Sequence, residues 1–245
     1  MAFSTRLLAA AVSSFAVAVL LAGCVSGPVG TAPESTGDPS NGPGQSSGDS
    51  DDLEGTLLDD GRLFAVVTRG SSTCVPQVDQ VDADGQTVSV TLVDPADDGD
   101  RVCTDDLAPR ASIGALPEGV DPTKEITLQV AYKDLRDDVD LDGDPSFSGT
   151  PGSSTEYLPS AGWVDDGTLV LLTWGSSSCI PVVEGVEAAG STATVTFTTD
   201  DQQVCTMDMA PRATLIELGD DAVDDDGVTL TLVGGGLDGT VDVRG

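Results

Sequence analysis

Three stretches of this chain combine residue types at spacings that could do chemistry. The first is Asp138-Val139-Asp140-Leu141-Asp142-Gly143-Asp144. Carboxylates at alternating positions, with a glycine at the sixth, match the start of a calcium loop, whose oxygen ligands must wrap a hard cation. The twelfth position, which should hold a bidentate Glu, is Gly149. The competing reading of Asp138, Asp140 and Asp142 is a β-strand with its acids in water. The run Asp224-Asp225-Asp226-Gly227 reads as a turn, because adjacent carboxylates do not point to one centre.

The second and third stretches occur together, twice. Gly70-Ser71-Ser72-Thr73-Cys74-Val75-Pro76 returns as Gly175-Ser176-Ser177-Ser178-Cys179-Ile180-Pro181. Cys103-Thr104-Asp105-Asp106-Leu107-Ala108-Pro109-Arg110 returns as Cys205-Thr206-Met207-Asp208-Met209-Ala210-Pro211-Arg212. Asp106 and Arg110, like Asp208 and Arg212, are four apart and could pair as ions. The functional reading is a polar pocket beside a disulfide. The structural reading is a Gly-Ser turn feeding the disulfide, with Asp and Arg tying down a loop, and the structural reading is favoured. Trp174 stands where the first copy has Arg69 and is a candidate exposed anchor for a partner.

Enzymatic chemistry finds little support. The chain has no His, which excludes Ser-His-Asp and Cys-His catalysis and any His-bound zinc. Ser71 and Ser72 have no base partner, Lys124 and Lys133 sit in no partner pattern, and Gly-x-Ser-x-Gly is absent. A pair of Asp could run glycoside hydrolysis, but only Trp163, Trp174, Tyr132 and Tyr157 could form a sugar platform. We therefore expect a non-enzymatic protein without a cofactor.

The elements that must position these residues follow from the pattern. Val88, Val90 and Leu92 alternate with Thr87, Ser89 and Thr91, and Ala193, Val195 and Phe197 repeat the pattern. Period 2 means half-buried strands. Asp-Gly pairs at Asp60-Gly61, Asp84-Gly85, Asp142-Gly143 and Asp166-Gly167 supply the turns between them. Strands are predicted near 63–69, 77–82, 86–93, 110–116, 125–131 and 137–142, and at the matching positions of the second copy. From Cys103 onward the second copy follows at a constant offset of 205 − 103 = 102 and ends with the chain. The expected fold is all-β: two tandem small antiparallel sandwich or barrel domains, each with one disulfide. They are repeat 1 at 53–143 and repeat 2 at 161–245, joined by a Pro, Gly and Ser rich linker at 144–160. One continuous sandwich is the alternative.

A duplicated unit should close on itself, which selects Cys74 with Cys103 and Cys179 with Cys205 from the three possible pairings. On the chain-entropy model each such bond contributes about 3–4 kcal/mol, enough to decide whether a small β unit with a thin core folds.

The N-terminus reads as a targeting segment. Arg6 precedes an apolar run from Leu7 to Leu20, too short to span a bilayer and fit for a secretory signal. Leu21-Ala22-Gly23-Cys24 resembles a bacterial lipobox. By that resemblance, residues 1–23 are a lipoprotein signal peptide and Cys24 is the lipidated first residue. Two or three acyl chains would anchor the protein stably in the bilayer. Residues 24–52 are rich in Gly, Ser, Pro, Thr and Asp and read as a disordered tether. The lipobox, the acidic tether and the paired cysteine segments together resemble uncharacterised lipoproteins of high-G+C Gram-positive bacteria. That resemblance implies a lipid-anchored protein on the outer face of the cytoplasmic membrane and no assigned activity.

Charge narrows the partners. The formal net charge is 10 − 42 = −32, with 34 Asp and 8 Glu. Such a chain is repelled by nucleic acid and by anionic lipid, so the anchor must supply the membrane affinity. The expected function is a monomeric surface lipoprotein that binds an unknown protein or small molecule. The alternative is a divalent-cation (calcium) responsive module using the dense Asp surface.

Overall fold

The computed structural model describes residues 53–95, 102–200, 202–219 and 227–245. The expected signal peptide, Cys24, the expected tether and Asp224–Asp226 lie outside them. Fourteen strands and no helix are found among the described residues. In repeat 1 these are β1 (Glu54–Leu58), β2 (Leu63–Gly70), β3 (Gln77–Asp84), β4 (Thr87–Val93), β5 (Ala108–Ala115), β6 (Ile126–Tyr132) and β7 (Leu135–Leu141). In repeat 2 they are β8 (Ser160–Trp163), β9 (Thr168–Gly175), β10 (Val183–Ala189), β11 (Thr192–Phe197), β12 (Ala210–Glu217), β13 (Thr229–Gly234) and β14 (Gly239–Arg244). The six expected strands of each repeat are present, and each repeat adds one at its start, β1 and β8.

The pairing departs from the antiparallel expectation. β4 and β6 run parallel, as do β11 and β13. The cause is β5, which pairs with β2 in the facing sheet. A chain that crosses to the other sheet and returns re-enters the first in its original direction. In repeat 1 the sheets are ordered β1-β2-β5 and β3-β4-β6-β7. In repeat 2 the same two groups join into one seven-stranded sheet, because β14 pairs parallel with β8 at Val243–Ala161 and Arg244–Gly162.

The sheets stack in layers rather than standing as two sandwiches. Alternate residues of β2 explain why. Phe64 and Val66 point into the repeat 1 core with Val90, Leu128 and Val130. Ala65 and Val67 point the other way, into a middle core with Val170 and Leu172 of β9. Leu169 and Leu171 then face the repeat 2 core with Val195, Phe197 and Leu230. Strands buried on both faces read as continuous apolar runs, here Leu63 to Val67 and Leu169 to Leu172. All four β9 residues from Leu169 to Leu172 are fully buried.

Two polar contacts reinforce the seam. The Asp59 amide donates to Ser160 Oγ at 2.9 Å. The Arg244 guanidinium lies 3.6 Å from Asp144.

Candidate functional site

Each disulfide closes within its own repeat, Cys74 with Cys103 and Cys179 with Cys205, at Cα separations of 5.5 and 5.6 Å. The repeat 1 knot is built on the register of β2 and β5, which sets Thr68 opposite Arg110 and Gly70 opposite Ala108. Arg110 is only 6% exposed. Its Nε donates to Thr68 Oγ1 at 3.3 Å, its Nη1 to the carbonyls of Cys74 and Ser71 at 2.7 and 3.2 Å, and its Nη2 to the Arg69 carbonyl at 3.4 Å. Gly70 is required beside it, since a Cβ there would lie 2.7 Å from Arg110 Nη2.

The anticipated Asp106–Arg110 ion pair does not form. Residues four apart lie about 13 Å from each other along an extended chain, whereas only a helix makes them neighbours. Asp106 turns to the Gly-Ser loop instead. It accepts the Ser72 amide at 3.0 Å and the Thr104 hydroxyl. Those bonds, the Thr104 hydroxyl first, lower its pKa to about 2. Asp208 does the same with the Ser177 amide and the Thr206 hydroxyl, and its pKa also falls to about 2. Arg212 donates to the carbonyls of Cys179 and Trp174 at 2.9 and 3.0 Å. Asp and Arg therefore staple opposite sides of each knot.

Repeat 1 carries further residues around this staple. Tyr132 Oη accepts from Arg110 Nη2 at 3.4 Å and donates to Asp94 Oδ1 at 2.6 Å. Lys133 Nζ lies 2.8 Å from Asp94 Oδ2 and 4.9 Å from the centre of the Tyr132 ring. The hydrogen bond from Lys133 holds the Asp94 carboxyl below its usual range, and the same bond raises the Lys133 ammonium. Together with Arg69 and the disulfide these side chains line a pocket of about 420 Å³. Its charged groups among the described residues are Arg69, Arg110, Lys133 and Asp94, a balance of 3 − 1 = +2.

The matching pocket of repeat 2 holds about 340 Å³, with Arg212 and Asp200 as its charged groups among the described residues, a balance of 1 − 1 = 0. Gly234 and Gly235 stand where repeat 1 has Tyr132 and Lys133, and Thr199 stands for Asp94. The Arg212 guanidinium has fewer partners: no tyrosine stands beside its Nη2, and its buried Nε and the Thr173 hydroxyl, the counterparts of the Arg110–Thr68 bond, make no hydrogen bond. Burial lowers its pKa.

The remaining sequence candidates are placed as follows. Trp174 is half-buried and engaged: its Nε1 donates to the Leu158 carbonyl at 3.2 Å, and Tyr157 packs edge-on at 5.1 Å. It clamps the linker and is half-buried where an exposed position was expected. Asp138 and Asp140 lie on the exposed face of β7, and Asp142 just beyond it. Side chains two apart on a strand diverge by about 6.6 Å, so a strand does not gather them on one ion. Asp140 accepts the Thr127 hydroxyl at 2.9 Å, and Asp242 accepts that of Thr229 at 2.9 Å in repeat 2. Among the described residues no group of three His, Cys, Asp or Glu is arranged to hold a metal ion.

Sequence reasoning missed Arg69, Asp94, Tyr132 and Lys133 as a set, because they come from three separate segments. The available signal was the substitution of Tyr132-Lys133 by Gly234-Gly235 within an otherwise continuous alignment. It also missed Asp59, which directly precedes the Asp60-Gly61 turn. Asp59 is 5% exposed, adopts φ 50°, and its Oδ2 has no partner. Burial raises its pKa above the ordinary value.

Comparison with protein-family models, curated proteins and solved structures finds no match.

Proposed function

We propose that this protein is a non-enzymatic, lipid-anchored module that stands on the outer face of the cytoplasmic membrane and binds a ligand through its folded repeats. One observation supports the reading most strongly. The four cysteines outside the lipobox close as two disulfides at equivalent positions of the repeats. Such bonds persist in oxidising compartments. The export signal delivers the chain there, Cys24 is left to take the lipid, and residues 24–52 hold the repeats away from the bilayer. The repeats run over 53–143 and 161–245, with 144–160 packed along the seam. The bilayer is engaged through the acyl chains alone, and the acidic repeats keep the module monomeric and off nucleic acid.

Metabolic labelling with palmitate tests the anchoring. The wild-type chain should incorporate label and fractionate with membranes. Cys24→Ala should lose both. Undiminished labelling of that variant would remove the lipobox reading.

A further inference from the structure

We propose that the pocket beside the Cys74–Cys103 disulfide binds a small oxyanion-bearing ligand, a carboxylate or a phosphate ester, held by Arg69 and Lys133 at its mouth. This rests on reading the repeats as a binding module, and it names the chemistry of the ligand.

Charge placement comes first. The whole chain has 10 Lys and Arg against 42 Asp and Glu. Three of those ten, Arg69, Arg110 and Lys133, line this one pocket, with Asp94 the one carboxylate among the described lining residues. Elsewhere the acidic surface repels anions. A concave positive site inside that field is where an anion would be focused.

The buried cation comes second. Arg110 donates only to carbonyl and hydroxyl oxygens, and its nearest link to a carboxylate runs through Tyr132 Oη to Asp94. Buried charges are ordinarily paired. Asp94 is itself shared with Lys133. Among its described residues the site therefore keeps an excess of positive charge that an incoming oxyanion would balance.

The comparison of the two repeats comes third. A staple for the disulfide needs Asp106 and Arg110, and repeat 2 keeps both as Asp208 and Arg212. Arg69, Asp94, Tyr132 and Lys133 are additional to it. Repeat 2 replaces them with Trp174, Thr199, Gly234 and Gly235 and folds with the same topology. Stapling thus does not account for these four. Among the described residues the Arg69 guanidinium makes no hydrogen bond or ion pair, and Arg69 is exposed. A planar fork of donors in that position suits two oxygens of one carboxylate or phosphate. Arg110 acts as a positioning residue, because it fixes the Arg69 and Cys74 carbonyls and the Tyr132 hydroxyl.

Amide chemical-shift titration of the full mature chain in detergent tests this, with inorganic phosphate in one arm and benzoate in the other. Sodium chloride at matched ionic strength is the reference. Saturable shifts at Arg69–Cys74, Asp94 and Tyr132–Lys133 are expected in at least one arm. Saturation by phosphate alone assigns a phosphate ester, and by benzoate alone a carboxylate. Arg69→Gln with Lys133→Gln should weaken the effect at least about tenfold, equal to about 1.4 kcal/mol. Lys124→Gln, a charge change outside the pocket, should not. Absence of saturation in both arms, or equal weakening by Lys124→Gln, overturns the proposal. If that happens while palmitate labelling depends on Cys24, the ligand class falls and the anchored module stands.

Discussion

Arg110 Nη1 donates to the Cys74 carbonyl at 2.7 Å, and Arg212 Nη1 donates to the Cys179 carbonyl at 2.9 Å. In both repeats, then, an arginine on one strand holds the backbone of a half-cystine that follows the neighbouring strand. The disulfide fixes the far end of the loop, and the guanidinium fixes the near end. A small sheet with few aromatic residues gains rigidity there that its core alone would not supply.

Removing that guanidinium should therefore be costly. Arg110→Met keeps the apolar stem and deletes every donor. It leaves the buried Cys74 carbonyl without this partner, and an unsatisfied buried group costs about 1–3 kcal/mol. We expect at least about 2 kcal/mol of lost stability in urea, read as a lower midpoint at constant m. Arg212→Met should cost less, since Arg212 makes fewer bonds and is less buried. Equal losses would mean that the Tyr132 and Thr68 contacts contribute nothing.

Much of the fold was legible because period 2 survives wherever one face meets water. Val88, Val90 and Leu92 are buried while Thr87, Ser89 and Val93 are exposed, as the alternation of this segment requires. β1 was not legible. Leu57 faces the repeat 1 core and Leu58 the middle core, so the two leucines are adjacent rather than alternating. β8 is four residues long, too short to show a period. The layered stack was written in the apolar runs of β2 and β9, which we predicted as strands without reading two buried faces from them. At the site, the cysteine pairing followed from the duplication. The Arg110 partners did not, because they depend on strand register, which spacing along one strand does not reveal.

The middle core spans both repeats and should make them one folding unit, and Leu172 tests this. It is fully buried and packs in the middle core with Val67 and Val170. Leu172→Ala should cost about 2–5 kcal/mol. Because the lost contacts span both repeats, hydrogen exchange should rise together in β2 and β9, within one unfolding transition. A calorimetric trace with two transitions, only one of them shifted, would show that the repeats fold independently.

The acidic surface should respond to salt as a field and not as a site. Self-repulsion is strongest at low ionic strength. The Debye length falls from about 30 Å at 0.01 M to about 10 Å at 0.1 M, so most of the stabilisation should come in that range. Sodium chloride and calcium chloride at matched ionic strength should raise the midpoint by similar amounts. A specific calcium site would add about 2.7 kcal/mol at a hundredfold excess over Kd. Asp140 and Asp142 line a pocket of about 330 Å³ with Asp165 and Asp166, so they are the residues to challenge. A saturable rise at sub-millimolar calcium, lost in Asp140→Ala, would favour the cation-responsive alternative.

Asp59 offers a pH test whose sign is opposite to that of Asp106 and Asp208. Burial raises its folded pKa above the ordinary 3.8. An acid with a raised folded pKa contributes stability that is fully present below the unfolded value and lost as pH rises through the folded one. Asp106 and Asp208, lowered to about 2, contribute stability that is lost only as pH falls below 3.8 toward 2. The window above about pH 4 is therefore clear of those two and open to Asp59. Asp59→Asn removes the charge and keeps a residue that tolerates φ 50°. It also gives up the long 3.9 Å contact from Arg62, but relief from burial is the larger effect on this carboxyl. The variant should melt higher than wild type at about pH 7, and the gap should close toward about pH 4. A gap that is constant with pH would mean that Asp59 has the same pKa folded and unfolded. A variant less stable at about pH 7 would mean that the Thr155 hydrogen bond and the Arg62 attraction together outweigh burial.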